Sequence, residues 1–315
     1  MSKKIKKAII SLSDKSEIKL ILNTLKKFKV KILSSGGTSK IIKKFGFKYT
    51  EVSEYTNNNE ILDGRVKTLH PKLYAGILSK RDNKKHKKEL KKNNYEEIDL
   101  IIVNFYPFEK ILKGTRDHNK LIENIDIGGP TLVRAAAKNY KYTTVITSPH
   151  QYKEFILDLD KNKGSTSLEL RKKFSQEAFN LTAYYDSVIS EYLSIRNNNY
   201  FPQRKTIHGN LVEVLRYGEN PHQQSAIYSK NDNLDISQLN GKKLSYNNYN
   251  DIYAALNISQ TLPKNIGTVI VKHANPCGVS MNNNKIQSYK EALACDPISA
   301  FGGIVSCNFR VNKKI

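Results

Sequence analysis

Apolar residues in the first half of the chain alternate between two patterns. Lys7–Leu12 and Ile98–Phe105 are short, nearly unbroken apolar runs, the second with Leu100, Ile101, Ile102 and Val103 in a row. Such runs predict strands buried on both faces. Between them Ile18, Ile21, Leu22, Leu25 and Phe28 recur at helical spacing, and Ser13 and Asp14 stand where a helix cap would. Val30–Leu33 predicts a second strand, Ser34–Thr38 a turn, and Ile41, Ile42 and Phe45 a short helix that Gly46 ends. Phe47–Val52 and Thr143–Thr147 predict further strands. Strands alternating with helices argue for an α/β fold with a mostly parallel sheet covered on both faces.

From Ser167 to about Ile195 the pattern becomes one long amphipathic helix. Its stripe is Leu170, Phe174, Ala178, Leu181, Tyr185, Val188 and Tyr192. Asn197–Pro202 breaks it and reads as a linker, with a second region beginning near Thr206. Asn83–Asn94 and Asn282–Lys285 read as exposed loop or surface helix, and there is no internal repeat.

Composition changes this picture little. The 315 residues allow two domains. Lys plus Arg number 52 against 29 acids, a formal charge of +23, which favours anionic partners. Only 9 of the 52 are Arg, and the 43 Lys run from end to end beside Asn-rich stretches. A nucleic-acid reader concentrates its charge and interleaves aromatics, so the charge is weak evidence for nucleic acid and compatible with phosphorylated small substrates. The scarce Arg65, Arg134 and Arg216 each sit in a Lys-poor, motif-like segment. Cys277, Cys295 and Cys307 are too far apart for a disulfide framework or a CxxC metal pair, which suggests a reducing compartment. The basic N-terminus has too short an apolar run for a signal peptide, and no stretch reaches membrane-spanning length. A soluble, cytoplasmic chain without membrane partners is expected.

The densest candidate chemistry lies in DGRVKTLHPK, Asp63–Lys72. Arg65 and Lys67, two apart, would share one face of an extended segment. Arg grips a phosphate in two places and Lys adds a point charge. A solvated basic loop is the plainer reading of this segment alone. Its weight comes from two strand-to-helix turns, Ser13-Asp14-Lys15 and Ser34–Thr38, both on the C-terminal edge of the expected sheet. Helix starts there offer free N–H groups to anions, although ordinary caps explain each turn singly. Asn104 and Tyr106 close the Ile98–Phe105 strand on the same edge; packing at a strand end stopped by Pro107 is the alternative. Asp126 precedes the glycine turn Gly128-Gly129 and a helix, Leu132–Asn139, carrying Arg134 and Lys138; a bare cap is the alternative. Carboxylate, phenol and lysines around one phosphate site would supply acid–base and charge-stabilising groups.

SLSDKS (11–16), SSGGTSK (34–40), DGRVKTLHPK (63–72), NFYPFEK (104–110), IDIGGPTLVRAAAKN (125–139), RYGENPHQ (216–223), KHANPCG (272–278) and CDPISAFGG (295–303) together resemble the bifunctional purine-biosynthesis family. That family joins an IMP cyclohydrolase to an aminoimidazole carboxamide ribotide (AICAR) transformylase. The resemblance is collinear from about Ile5 to Phe309. It implies a methylglyoxal-synthase-like parallel sheet domain over residues 1–147, a helical extension over 148–199 that completes the cyclohydrolase, and the first part of a cytidine-deaminase-like α/β domain over 200–315. The implied reaction closes 5-formamidoimidazole-4-carboxamide ribotide (FAICAR) to IMP with loss of water and without a cofactor. By resemblance, Ser13, Lys15, Ser35, Gly37, Thr38, Arg65 and Thr68 hold phosphate and ribose. Lys67, Asn104, Tyr106, Asp126 and Lys138 surround the base, with Lys67 and Lys138 stabilising oxyanion charge and Asp126 and Tyr106 relaying protons. His70-Pro71 reads as structural.

The second region would take a formyl group from 10-formyltetrahydrofolate to the amine of AICAR. Arg216 and Tyr217 match nucleotide-binding positions there, and Lys272 and His273 match the catalytic pair, His273 accepting the amine proton. A deaminase-like fold suggests zinc by analogy, yet the segment has no His/Cys ligand set. Because the family's transformylase half continues beyond Ile315, this activity is expected to be absent or crippled. Family members are homodimers, so a homodimer is expected. Two rivals remain. A nucleic-acid-binding protein would show a steep salt slope. A nucleotide-sensing module would need the phosphate turns without Tyr106, Asp126 and Lys138.

Overall fold

A computed structural model describes residues 4–231 and 233–312, so both tips of the expected domain limits lie outside the described residues. The chain divides into two compact units, Met1–Ile207 and His208–Ile315.

The first unit is built on five strands, β1 (Lys7–Leu12), β2 (Lys31–Ser34), β3 (Thr50–Glu51), β4 (Leu100–Asn104) and β5 (Thr144–Ile146). Their order is β3-β2-β1-β4-β5 and every pairing is parallel, the α/β sheet that the apolar runs predict. Ala8, Ile9 and Ile10 in β1 and Leu100 and Ile101 in β4 are wholly buried, because these central strands have helices over both faces. The covering helices are α1 (Ile18–Lys27), α2 (Gly36–Lys44), α3 (Val52–Thr56), α4 (Pro71–Leu78), α5 (Lys84–Lys92), α6 (Phe108–Gly114), α7 (His118–Glu123), α8 (Gly128–Lys138), α9 (Tyr152–Lys161) and α10 (Leu168–Arg196). Ile21, Leu22 and Leu25 of α1 and Phe174 and Ala178 of α10 enter the same core as the sheet.

The chain runs outward through β2 and β3 on one side of β1 and through β4 and β5 on the other. That reversal opens a crevice beyond the C-terminal ends of β1 and β4, where open α/β sheets bind ligands. Register pairs Leu12 with Asn104 at its floor.

Two local expectations give way. Ser13 and Asp14 do not cap α1, which starts at Ile18. Asp14 Oδ1 instead accepts the Ser16 N–H at 2.9 Å, a local turn that competes with the helix start. The third strand shrinks to Thr50–Glu51, since Val52 already opens α3; Phe47 and Tyr49 pack on the core without pairing. Asn83–Asn94 takes the surface-helix form of the two expected, with Asn83 Oδ1 capping α5. The long helix forms with Ser167 Oγ accepting the Leu170 N–H, 3.1 Å; Tyr185 and Val188 of its stripe are buried, Leu181 and Tyr192 half-buried.

In the second unit β6 (Asn210–Val214) and β7 (Ala226–Ser229) form a hairpin. β8 (Gly267–Lys272) lies between β9 (Asn275–Met281) and β10 (Ile304–Cys307), antiparallel to both. Helices α11 (Tyr246–Thr261), α12 (Lys285–Cys295) and α13 (Pro297–Ala300) accompany it. Cys277, Cys295 and Cys307 are free thiols.

Candidate active site

A cavity of about 760 Å³ fills the crevice at the C-terminal edge of the sheet. Ser13, Lys15, Ser35, Gly37, Thr38, Arg65, Lys67, Thr68, Asn104, Tyr106 and Asp126 all line it.

The turn after β1 is fixed by Asn104. Its Oδ1 accepts the Ser13 N–H at 2.6 Å and the Asp14 N–H at 3.0 Å, and its Nδ2 donates to the Asp14 carbonyl at 2.8 Å. The β1–β4 register places this amide beside that turn, so Asn104 holds the turn as well as lining the cavity. Lys15 Nζ donates back to the Ser13 carbonyl at 3.1 Å and lies 3.9 Å from where a Cβ on Gly37 would stand. The ammonium therefore reaches across to the start of α2, whose first-turn N–H groups have no intrahelical partner. The Thr38 side chain is already engaged. Its buried hydroxyl accepts from Leu12 N–H (2.8 Å) and donates to the Leu12 carbonyl (3.1 Å), tying α2 to the end of β1.

Asp63–Lys72 is not an extended strand. Leu62, Asp63 and Gly64 are successively left-handed (φ 55°, 52° and 85°), and Ile61 and Val66 bridge beneath them. Left-handed Leu is costly and is kept where surrounding structure enforces it, often at a functional loop. Arg65 and Lys67 thus reach the cavity with separate counter-ions. Arg65 pairs with Glu123, and Lys67 Nζ lies 3.2 Å from Glu60 Oε2. The Lys67 side chain crosses Gly64 so closely that a Cβ there would stand 2.5 Å from its Cε, and 3.4 Å separates its Nζ from a Cβ on Gly36. Two glycines make a channel for one lysine. His70 Nδ1 accepts the Lys72 N–H at 3.1 Å ahead of Pro71, capping α4 in the structural role expected of it.

Asp126 sits at the start of α8. Its Oδ1 accepts the Gly129 N–H at 2.8 Å and its Oδ2 the Tyr106 N–H at 3.3 Å. Burial outweighs these bonds and raises its carboxyl above the ordinary range. A Cβ on Gly129 would stand 2.6 Å from Oδ2, and one on Gly128 2.9 Å from the Thr68 hydroxyl. Asp126 is both cap and cavity carboxylate. The exposed phenol of Tyr106 borders the same space.

Lys138 is not brought to this cavity. It is the exposed last residue of α8, ten residues beyond Gly128, about 15 Å along the axis at 1.5 Å per residue. Arg134 also points away and stacks over Phe179 at 5.6 Å. The sequence reading also missed Glu60, Glu123 and Tyr185. The Tyr185 hydroxyl accepts the Asp126 N–H at 2.8 Å, from a position the helical stripe explained as core.

In the second unit, the Arg216 guanidinium stacks on Tyr217 at 4.7 Å and donates to its hydroxyl at 3.0 Å, which lowers the phenol's pKa. Lys272 Nζ donates to the Phe301 carbonyl at 2.8 Å. His273 and Ala274 are left-handed, and the Ala274 N–H donates to Asp251 Oδ1 at 2.7 Å. The Tyr217 carbonyl accepts the Tyr246 N–H at 3.4 Å. Tyr217 and the turn just after His273 are thereby tied to the N-terminal half of α11. Among the described residues no cluster of three or more His, Cys, Asp or Glu is placed to hold a metal, and no helix is long and apolar enough to cross a membrane.

The family described as AICARFT/IMPCHase bienzyme matches residues 136–315, and the MGS-like domain matches residues 16–131. The bifunctional purine biosynthesis protein PurH of Persephonella marina is 44% identical over 315 residues, covering 98% of this chain and 61% of the relative. PurH of Agrobacterium fabrum is 44% identical over 311 residues, covering 97% of this chain and 58% of the relative. The chain thus spans about three fifths of the length of these relatives. Among solved structures, one titled "Crystal structure of ForH" superposes with a TM-score of 0.53 at 26% identity, over 60% of this chain and 98% of that one.

Proposed function

The chain belongs to the AICARFT/IMPCHase bienzyme family of purine biosynthesis, and from that premise we propose that its first unit closes FAICAR to IMP. The observation that carries the reading is the meeting of Lys67, Tyr106 and Asp126 with the anion-binding turns in one cavity. Ser13, Lys15, Ser35, Gly37, Arg65 and Thr68 bind phosphate and ribose. Asn104 and Thr38 shape those turns through the bonds described above.

In the reaction the carboxamide nitrogen attacks the formyl carbon and a tetrahedral carbinolamine forms. Lys67 stabilises charge on the former formyl oxygen, a preorganised electrostatic role worth roughly 10²–10³ in rate. Asp126 accepts the proton leaving the nitrogen, and a carboxyl whose pKa is raised by burial is the better base for it. Tyr106 relays protons to the oxygen: the one taken from the carboxamide nitrogen makes it the carbinolamine hydroxyl, and a second, lost from the former formamide N–H as the ring C=N bond forms, lets it leave as water. The role proposed from sequence for Lys138 has no support in its position at the far end of α8.

Residues 148–199 complete this half as its helical extension. The second unit is proposed as part of the AICAR formyl-transfer half, with Arg216 and Tyr217 binding nucleotide, Lys272 and His273 at the amine, and 10-formyltetrahydrofolate as formyl donor. A cytoplasmic homodimer is part of the same proposal, and sedimentation gives its mass. The decisive experiment incubates the purified chain with FAICAR and follows IMP. Formation of IMP, lost in Lys67→Ala and Asp126→Ala with nucleotide binding kept, supports the enzyme. Binding without turnover in the unsubstituted chain overturns it in favour of a nucleotide-sensing module.

A further inference from the structure

Asp126 is held from behind by a side chain of the long helix. Tyr185 lies 18 residues into α10, about 25 Å from its start, and is 8% exposed. Its hydroxyl accepts the Asp126 N–H at 2.8 Å and lies 3.4 Å from the Asn124 carbonyl, to which it donates. Its ring meets Phe105 edge-on at 5.1 Å and Phe108 at 6.4 Å. Phe105 lies between Asn104 and Tyr106, and the Tyr106 N–H binds Asp126. One phenol therefore fastens the end of β4 to the loop before α8. Helix packing needs the ring at this position, and a phenylalanine would supply it. The hydroxyl has no packing purpose, and a buried hydroxyl is kept only when it is bonded.

We propose that Tyr185 is a positioning residue for Asp126, setting the placement and dryness of its carboxyl for the reaction. The inference rests on the cyclohydrolase reading for its consequence, though not for its geometry. Without the hydroxyl, the Asp126 N–H must find water, and water admitted there also solvates the carboxylate. Burial then raises the Asp126 pKa less, and its titration moves down toward the ordinary carboxylate range. Lys15, Asp63, Arg65, Lys67, Tyr106 and Glu123 share the cavity with Asp126 and are unchanged by the substitution. Burial keeps the Tyr185 phenol itself up at about 12, so it stays protonated throughout.

The test is Tyr185→Phe, which removes one oxygen, beside Val188→Ala, which loosens the same apolar cluster and leaves the Tyr185 hydroxyl in place. The Asp126 carboxyl is titrated by carbon NMR, which needs no turnover, and FAICAR closure is measured separately. The expected result is a downward shift of the Asp126 titration by about one pKa unit in Y185F only, and a fall in kcat of about tenfold with KM little changed. An unchanged titration in Y185F, or an equal shift in V188A, overturns the proposal. In the unsubstituted protein the Asp126 amide exchanges with solvent at least tenfold more slowly than in an unfolded chain; exchange at the unfolded rate also overturns it, even should Y185F fail to fold. Absence of turnover in the unsubstituted chain counts against the cyclohydrolase reading and leaves the titration result standing.

Discussion

The two edges of the parallel sheet carry opposite lessons about charge. At the N-terminal edge a cavity of about 550 Å³ is lined by Lys4, Lys6, Lys7, Lys27, Lys29, Lys31 and Lys163 against Glu96, Glu97 and Asp99. At the C-terminal edge the cavity has three cations, Lys15, Arg65 and Lys67, against three acids, Asp63, Glu123 and Asp126. A count of positive charge would choose the first edge for an anionic ligand. Organisation chooses the second. There helix starts present backbone donors, glycines admit Lys67, and Asn104 and Thr38 lock the turns. The basic edge has long lysine side chains, two of them, Lys7 and Lys27, tied up in ion pairs with Glu96 and Asp160, and its charge follows the Lys-rich composition of the whole chain. Preorganised donors stabilise an anion without the ordering cost that flexible lysines carry.

The largest effects that separate the edges are expected at Lys67 and Asp126. Lys67→Ala should lower kcat for FAICAR closure by roughly 10²–10³, with nucleotide affinity much less affected in calorimetry. Asp126→Asn should lower it by roughly 10²–10⁴. The same variant tests a stability consequence. The folded carboxyl titrates above the unfolded one, so between the two values the folded state holds the extra proton and stability falls as pH rises. Asp126→Asn should flatten that slope in denaturant titrations.

Next come the glycines. Gly64→Ala places a methyl carbon against Lys67 and in a left-handed backbone at φ +85°. A cost of about 1–3 kcal/mol is expected, with kcat reduced more than KM is raised. Thr38→Val removes a buried hydroxyl bonded to both polar groups of Leu12 and should cost about 1–3 kcal/mol.

The basic edge should yield the smallest effects. Lys29→Glu with Lys31→Glu and Lys163→Glu is expected to leave turnover within twofold, although it removes six charge units; a tenfold loss would give that edge a part in the reaction. Lys7 offers a pH test there. Burial first, then Lys31 and Lys72, hold its pKa down from 10.5 to about 8. Between about 8 and 10.5 the unfolded chain holds the proton that the folded one has lost, so stability rises with pH across that window. Lys7→Met should remove the rise.

Much of the site was legible because its residues lie in short segments. Ser13, Ser35 and Gly37 could be placed on turns at one sheet edge from strand runs and glycines alone, whereas Thr68 entered through the family resemblance. Asn104 could be placed there too, but its hydrogen-bond partners could not, because they depend on β1 lying beside β4. Lys138 shows the converse. Twelve residues from Asp126, it lies near in the motif but more than two helical turns from the start of α8 in space. Asp63–Lys72 misled in a third way, since a two-residue spacing shares a face only in an extended chain and this segment turns.

By itself the sequence determined the parallel α/β sheet, the edge on which the site would lie and most of the residues that line it. Periodicity and turn chemistry are local, and each strand run is set by burial on both faces. Only the tertiary structure decided which partner each polar group takes: Glu60 for Lys67, Glu123 for Arg65, Leu12 for Thr38 and Tyr185 for Asp126. Those pairings join segments as many as 59 residues apart in the chain. Hydrogen bonds and ion pairs form between neighbours in space, and packing around the core determines which neighbours those are.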